Sequence, residues 1–274
     1  MIRTTPTPRP AAKGRLRGRR SGLAAALLGA LAMLALPAAA DTRPGATFTL
    51  GAGARLTPSY FGASSEEVGP TGSFLLHHLR IGGFEIGDPT AEPLRPGFRI
   101  GGAARWISGR GAGDNPELAG LDRVSTSVEL GVRLRYVADT WLVFADLRNG
   151  VIGHGGWAGE VGADALWHVT PNLTLSAGPR AAFGDARFTR TYFGVTAAEA
   201  GRSPFSEFRP STGIVSVGAE LGMRLRLDEL WTVIGTLEYD RLRGDAGRSP
   251  ITAQGSRDQW GARLMLTRRF DLRL

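Results

Sequence analysis

From Ile214 to Leu227 apolar and polar residues alternate at every step. Val215, Val217, Ala219, Leu221, Met223, Leu225 and Leu227 share one side, and Ser216, Gly218, Glu220, Gly222, Arg224 and Arg226 the other. A period of two is the signature of a strand with unlike faces. Thirteen or so residues at roughly 3.3 Å each reach about 40 Å, well beyond the usual soluble strand and enough to cross a bilayer when tilted. The charged face cannot touch lipid, and in hydrocarbon every backbone N–H and C=O needs a partner within the protein. A closed barrel meets both demands, with apolar side chains outward and ionic ones inward.

The same period predicts strands over 47–56, 73–87, 97–107, 126–137, 140–150, 158–169, 172–184, 213–227, 231–243 and 258–274. No stretch of period 3.6 competes. Short connections (88–96, 138–139, 170–171, 228–230) alternate with mostly longer ones (57–72, 108–125, 151–157, 185–212, 244–257), as periplasmic turns alternate with external loops in outer-membrane barrels. The pattern predicts an all-β fold, a transmembrane antiparallel up-and-down β-barrel of ten strands with both termini periplasmic. The weak point is 73–96, where Gly82-Gly83 can split one long strand into a hairpin, and a barrel of twelve strands stays open as the alternative. Tryptophan supports the membrane reading, since Trp141, Trp167 and Trp231 fall at the short-turn rim and Trp106, Trp157 and Trp260 at the long-loop rim. A soluble sandwich or lipocalin-like barrel has shorter strands and turns its charged face to water.

Composition changes the picture mainly at the N-terminus. Arg3, Arg9, Lys13, Arg15, Arg17, Arg19 and Arg20 precede the small, apolar run Leu23 to Leu36, and Ala38-Ala39-Ala40 precedes Asp41. This reads as a cleavable export signal over 1–40, too short to span as a helix, leaving 41–274 as the barrel domain. Those seven cations account for most of the net charge of +8, and the remaining chain carries 26 basic against 25 acidic residues. Nucleic acid is not an implied partner; outer-membrane lipid is. With no cysteine in the chain, no disulfide framework is available.

Inward positions collect Arg99, Arg105, Glu129, Arg133, Arg135, Asp146, Arg148, Glu160, Asp164, His168, Arg180, Glu220, Arg224, Arg226, Glu238, Asp240 and Arg263, a mixture of both signs. In a narrow barrel such a set cross-links the wall by salt bridges, the alternative being a small, weakly selective pore. Candidate chemistry is sparse. His77 and His78 alternate in side, which argues against a shared metal site, with one of them at lipid or an interface. His154, in a glycine-rich loop, is the most exposed candidate base, with Asp185 or Glu160 to orient it; His168 shares a face with Asp164 and suits a hydrogen-bond or ion-pair role. Gly51-Ala52-Gly53 and Gly111-Ala112-Gly113 lack the following helix a phosphate loop needs. No catalytic, cofactor or metal residue is assigned, and the chain is expected not to be an enzyme. Arg243-Gly244-Asp245 matches a three-residue cell-binding sequence. Phe188, Tyr192, Phe193, Phe205 and Phe208, spread through 185–212, predict a loop folded into the barrel mouth as a plug.

Two segments carry a resemblance. Tyr192-Phe193-Gly194-Val195-Thr196, followed by Ala197-Ala198-Glu199-Ala200, and Arg241-Leu242 with Gly244-Asp245-Ala246 and Ser249-Pro250-Ile251 resemble motifs of the MipA/OmpV family, the MltA-interacting outer-membrane proteins. Weaker echoes are Pro58-Ser59-Tyr60-Phe61-Gly62-Ala63-Ser64, Leu118-Ala119-Gly120-Leu121 and Gly153-His154-Gly155-Gly156. The resemblance implies a non-enzymatic protein of the outer membrane of a Gram-negative cell. It further implies a scaffold joining a lytic transglycosylase to a murein synthase, with porin-like or adhesive roles discussed for other members.

Overall fold

A computed structural model describes residues 44–88, 92 and 94–273; the expected signal segment and Leu274 lie outside them. The strands are β1 (Gly45–Pro58), β2 (Glu66–Ile81), β3 (Phe84–Gly87), β4 (Gly97–Ile107), β5 (Ser127–Val137), β6 (Trp141–Ile152), β7 (Trp157–His168), β8 (Leu173–Gly184), β9 (Gly213–Arg226), β10 (Trp231–Leu242) and β11 (Asp258–Arg273). All pairings are antiparallel, in one sheet of order β3-β2-β1-β11-β10-β9-β8-β7-β6-β5-β4. Ten of these are the long strands the alternation predicts. The eleventh, β3, arises because Gly82, at φ +59, reverses the chain at the Gly82-Gly83 pair.

The first strand lies beside the last, with Gly45 opposite Arg273, so the two ends of the described chain meet at one rim. Closure differs from expectation. Among the described residues no ladder joins β2 or β3 to β4, and the sheet curls with these two edges facing across its interior. β2 also begins seven residues before the expected position, since Glu66 to Ser73 continue the pairing with β1. Gly69, Pro70 and Gly72 hide that extension from the hydropathy pattern, and Pro70 is tolerated because β2 is an edge here.

Burial is the reverse of a soluble sheet. On β5 the outward Leu130 and Val132 are each 50% exposed, while the inward Glu129 is wholly buried. All six tryptophans sit near strand ends, and all but Trp231 are exposed. One exception to the alternation is instructive. Val215, placed outward by the pattern, is buried, because a bulge in the β8 to β9 pairing leaves it unmatched between Ile214 and Ser216.

Apolar cores form at the strand ends rather than along the wall. Two clusters lie at the long-loop end, one around Phe188, Tyr192 and Phe193 and one around Val195, Phe205 and Ile251; a smaller one, Val137, Leu142 and Leu166, sits at the short-turn end. The long loops, expected to lack helix, hold α1 (Ala186–Phe193), α2 (Ala197–Ala200), α3 (Gly244–Arg248) and α4 (Pro250–Gln254).

Backbone packing within the ladder is tight at selected glycines. A Cβ at Gly131 would lie 1.9 Å from the Leu147 carbonyl oxygen, whereas one at Gly101, on the β4 edge, meets nothing within 4 Å. Gly131→Ala should therefore cost about 2 kcal/mol or more and Gly101→Ala under about 0.5 kcal/mol. Denaturant titration of both variants, followed by tryptophan fluorescence, measures the contrast.

Candidate functional site

The long-loop end of the sheet is covered by a cap whose parts are held by local hydrogen bonds. Asp185 caps α1, its Oδ1 accepting from the N–H groups of Arg187 (3.0 Å) and Phe188 (2.9 Å). Thr196 and Glu199 form a capping box on α2. Ser249 caps α4 ahead of Pro250 and also donates from Oγ to the Phe193 carbonyl at 2.7 Å. That bond joins the two segments whose sequences carry the family resemblance. Val195 pairs with Phe208 and packs in the cluster of Ile251, Gly194 ends α1, and Gly244, at φ +52, opens α3. Tyr192, Phe193, Gly194, Val195, Gly244, Asp245, Ser249 and Pro250 are thus the framework of the cap.

The five rings of 185–212 pack as a plug requires. Phe188, Tyr192, Phe193 and Phe205 are buried and Phe208 is partly so. Tyr192 turns its hydroxyl downward and donates to Ser127 Oγ at 2.8 Å, at the top of β5. Asp245, at the end of the Arg243-Gly244-Asp245 sequence, accepts from the N–H and Oγ of Ser211 at 2.7 Å each and from Arg248 at 2.5 Å. A carboxylate so occupied is not displayed for cell binding.

Beneath the cap runs a chain of ionic contacts. Arg133 donates to Asp146 through Nε (2.6 Å) and Nη2 (2.5 Å), Arg148 bridges Asp146 (2.8 Å) and Glu129 (2.9 Å), and Glu129 Oε1 lies 3.1 Å from His154 Nε2. Because His154 Nδ1 accepts the Gly156 N–H at 3.0 Å, Nε2 carries the proton and donates to Glu129. His154 is therefore not the exposed base expected of a glycine-rich loop. Its ring is buried edge-on to Phe188, and its carboxylate partner is Glu129, not Asp185 or Glu160. A second cross-link joins β7, β8 and β9, where Arg180 holds Asp164 (2.8 and 3.1 Å) and Glu220 (3.1 Å).

The interior is a cavity of about 2050 Å³. Of the inward positions read from the sequence, Arg105, Arg133, Arg135, Asp146, Arg148, Glu160, Asp164, His168, Arg180, Glu220, Arg224, Arg226, Glu238, Asp240 and Arg263 line it. Glu129 is sealed beneath the cap, and Arg99 bonds the Glu92 and Arg95 carbonyls at the short-turn end. His168 bonds Thr174 (3.0 Å) and the Asp139 carbonyl (2.9 Å) rather than Asp164, which belongs to Arg180. Neither His77 nor His78 points to lipid: His77 lines the cavity 2.8 Å from Thr49 Oγ1, and His78 is buried 2.8 Å from Glu85.

Residues the hydropathy pattern did not single out complete the cap. Arg110 is buried over the Tyr60 ring, and Tyr60 donates to Glu117 at 3.0 Å. Burial, and then the Glu117 bond, push the Tyr60 hydroxyl up to about 12; burial draws Arg110 down to about 10. Loop residues follow no period, so only capping signals were legible there. Thr196-Ala197-Ala198-Glu199 is a capping-box sequence, and Ser249-Pro250 a helix start.

Two measurements test this site. Glu129→Leu leaves Arg148 and His154 buried without their shared carboxylate, which should cost about 3–5 kcal/mol by denaturant titration. The cap itself should loosen in acid. Donors at Ser211, and then Arg248, hold Asp245 below its ordinary pKa. At Asp185 and Glu199 burial pushes upward but is outweighed by backbone N–H donors, so both are also lowered. Each lowered carboxylate contributes stability fully present above its ordinary value, about 4, and lost as pH falls through the lowered one. Proteolysis of 185–212 should accelerate below about pH 4, and Asp245→Asn should weaken that acid dependence.

Solved structures similar to this chain include the outer membrane protein OprG of Pseudomonas aeruginosa, 11% identical over 83% of this chain and 97% of its own, TM-score 0.29. The toluene transporter TbuX of Ralstonia pickettii is 9% identical over 86% and 90%, TM-score 0.28. The attachment invasion locus protein Ail of Yersinia pestis is 10% identical over 84% and 100%, TM-score 0.25. Likenesses this distant decide nothing about function. No curated protein matches the sequence. The family described as MltA-interacting protein MipA matches residues 50–270, nearly the whole described sheet and cap, and the chain belongs to that family.

Proposed function

We propose that this chain is a non-enzymatic outer-membrane β-barrel, exported by its N-terminal segment, that anchors murein-processing enzymes at the inner face of the outer membrane. The apolar outer face between two tryptophan-bearing rims supports membrane insertion. In lipid, the unpaired edges of β2 and β4 would each cost several kcal/mol per orphaned group. Pairing them completes a cylinder of ten long strands, with β3 as a short spur and both ends of the described chain periplasmic. Amide protons over 66–77 and 97–107 should accordingly be protected from exchange in lipid nanodiscs, and rapid exchange there would count against closure.

The observation that carries the choice of scaffold over open pore is the packed cap. Its buried rings and helices fill the long-loop mouth, which suits a rigid body better than a conduit. The family's description names an interaction with MltA, and the resemblance implies a lytic transglycosylase and a murein synthase as partners. Cross-linking the full chain in cells and identifying captured proteins by mass spectrometry should recover such an enzyme; recovery of none removes this reading. Planar-bilayer recordings should show little conductance for the intact protein and a clear rise when 190–208 is deleted. High conductance with the cap intact would favour the pore.

A further inference from the structure

The outward face of the sheet is almost wholly uncharged. Among the described strand residues its charges stand at the long-loop ends, Glu66, Arg241 and Asp258, with one exception. Arg268 follows Leu264 and Leu266 on the outward side of β11 and precedes Phe270 and Leu272. It stands opposite Trp231, the first residue of β10, and is therefore level with the short-turn rim. Its guanidinium carbon lies 5.2 Å from the centroid of the Trp231 ring and 5.1 Å from that of Phe270. Trp231, so covered, is only partly exposed, whereas the other five tryptophans are exposed. Phe270 is stacked on Phe48 at 5.3 Å, and Phe48 lies 5.8 Å from Phe74, so a band of rings crosses β10, β11, β1 and β2 around this cation.

We propose that Arg268, with Trp231 and Phe270, binds the phosphodiester of an anionic glycerophospholipid in the periplasmic leaflet of the outer membrane. This rests on the reading of the chain as a membrane-inserted barrel whose short turns are periplasmic. On a lipid-facing wall a guanidinium is costly at the bilayer midplane and tolerated near the interface, where aromatic rings also gather. Arg268 makes no hydrogen bond or ion pair among the described residues, and the acids at the same end are placed elsewhere. Glu92, Asp228 and Glu229 line the interior, and Asp271 is inward, 3.7 Å from Arg269. Glu85 holds Arg80 and His78, Asp88 holds Arg95, and Asp139 sits on the β5 to β6 turn, several strands away. The rings attract the cation without using its N–H donors, and a guanidinium fork matches two oxygens of a phosphodiester. Toward the midplane the outward wall continues as Val233, Leu266 and Leu264, apolar side chains against which that lipid's acyl chains would lie. A phosphatidylglycerol headgroup carries one net negative charge. In phosphatidylcholine the headgroup's own ammonium answers the phosphate, so the site favours the former.

Insertion of the processed chain into phosphatidylcholine bilayers is scored first. A chain that stays in solution overturns the membrane reading and this proposal with it, whereas one that inserts but shows no lipid preference overturns the proposal alone. The processed chain in a neutral detergent is then titrated with phosphatidylglycerol and, separately, with phosphatidylcholine, and bound lipid is counted by native mass spectrometry. Phosphatidylglycerol should bind about fivefold more tightly, and Arg268→Gln should remove that preference. Arg241→Gln, at the opposite rim, should leave it unchanged. Thermal unfolding tells a lipid site from a brace. Phosphatidylglycerol should raise the melting temperature of the unaltered protein and not that of Arg268→Gln, and in phosphatidylcholine alone the two should unfold together. A variant equally destabilised in both lipids means that Arg268 only props Trp231, and overturns the proposal. So does lipid binding indifferent to the substitution, or a pair of chains that Arg268→Gln separates, which would give this face to a second copy.

Discussion

The structure depends on one constraint, that a strand with a charged face must bury that face and answer its charges. The sheet curls its charged face inward and answers the charges between adjacent strands, where Arg148 reaches Glu129 and Asp146 while Arg180 reaches Asp164 and Glu220. Buried ion pairs add little net stability compared with apolar packing, but breaking one is costly. Their value here lies in register. Slipping a strand by one residue would turn every such charge outward and every Leu or Val inward, so the ionic interior and the apolar exterior enforce the same pairing.

The wall alone does not make a finished molecule. Charges along the strands leave no apolar core between them, and the packed side chains gather instead where the strands end. At the long-loop end, four short helices are fixed by their caps and by contacts with one another. None is long enough to be stable in isolation, so burial of Phe188, Tyr192, Phe193 and Ile251 against the sheet supplies the stabilisation. This explains why the family's recurring segments lie far apart in sequence and touch in space. Ser249 is needed where Phe193 ends α1, and Asp245 where Ser211 begins the return to β9.

The two ends of the interior therefore differ in kind. Toward the cap, carboxylates and guanidinium groups neutralise one another in linked chains, and His154 closes one chain against the lid of aromatic rings. Toward the short turns the contacts are largely to backbone and amide oxygens: Arg99 donates to the Glu92 and Arg95 carbonyls, and Arg226 to the Pro171 carbonyl and Asn172.

The sequence by itself determined the ten long strands, most of their bounds, their inward and outward faces and the placing of tryptophan at both rims. These follow from local alternation, which a chain carries wherever it lies. It also determined the ring-rich plug, because apolar side chains in a long loop must find cover. Only the tertiary structure decided which charges meet, since Arg148 and Glu129, or Asp164 and Arg180, become neighbours through strand register and not through spacing along the chain. For the same reason His154, exposed by every local sign, is buried by α1 brought from thirty residues away.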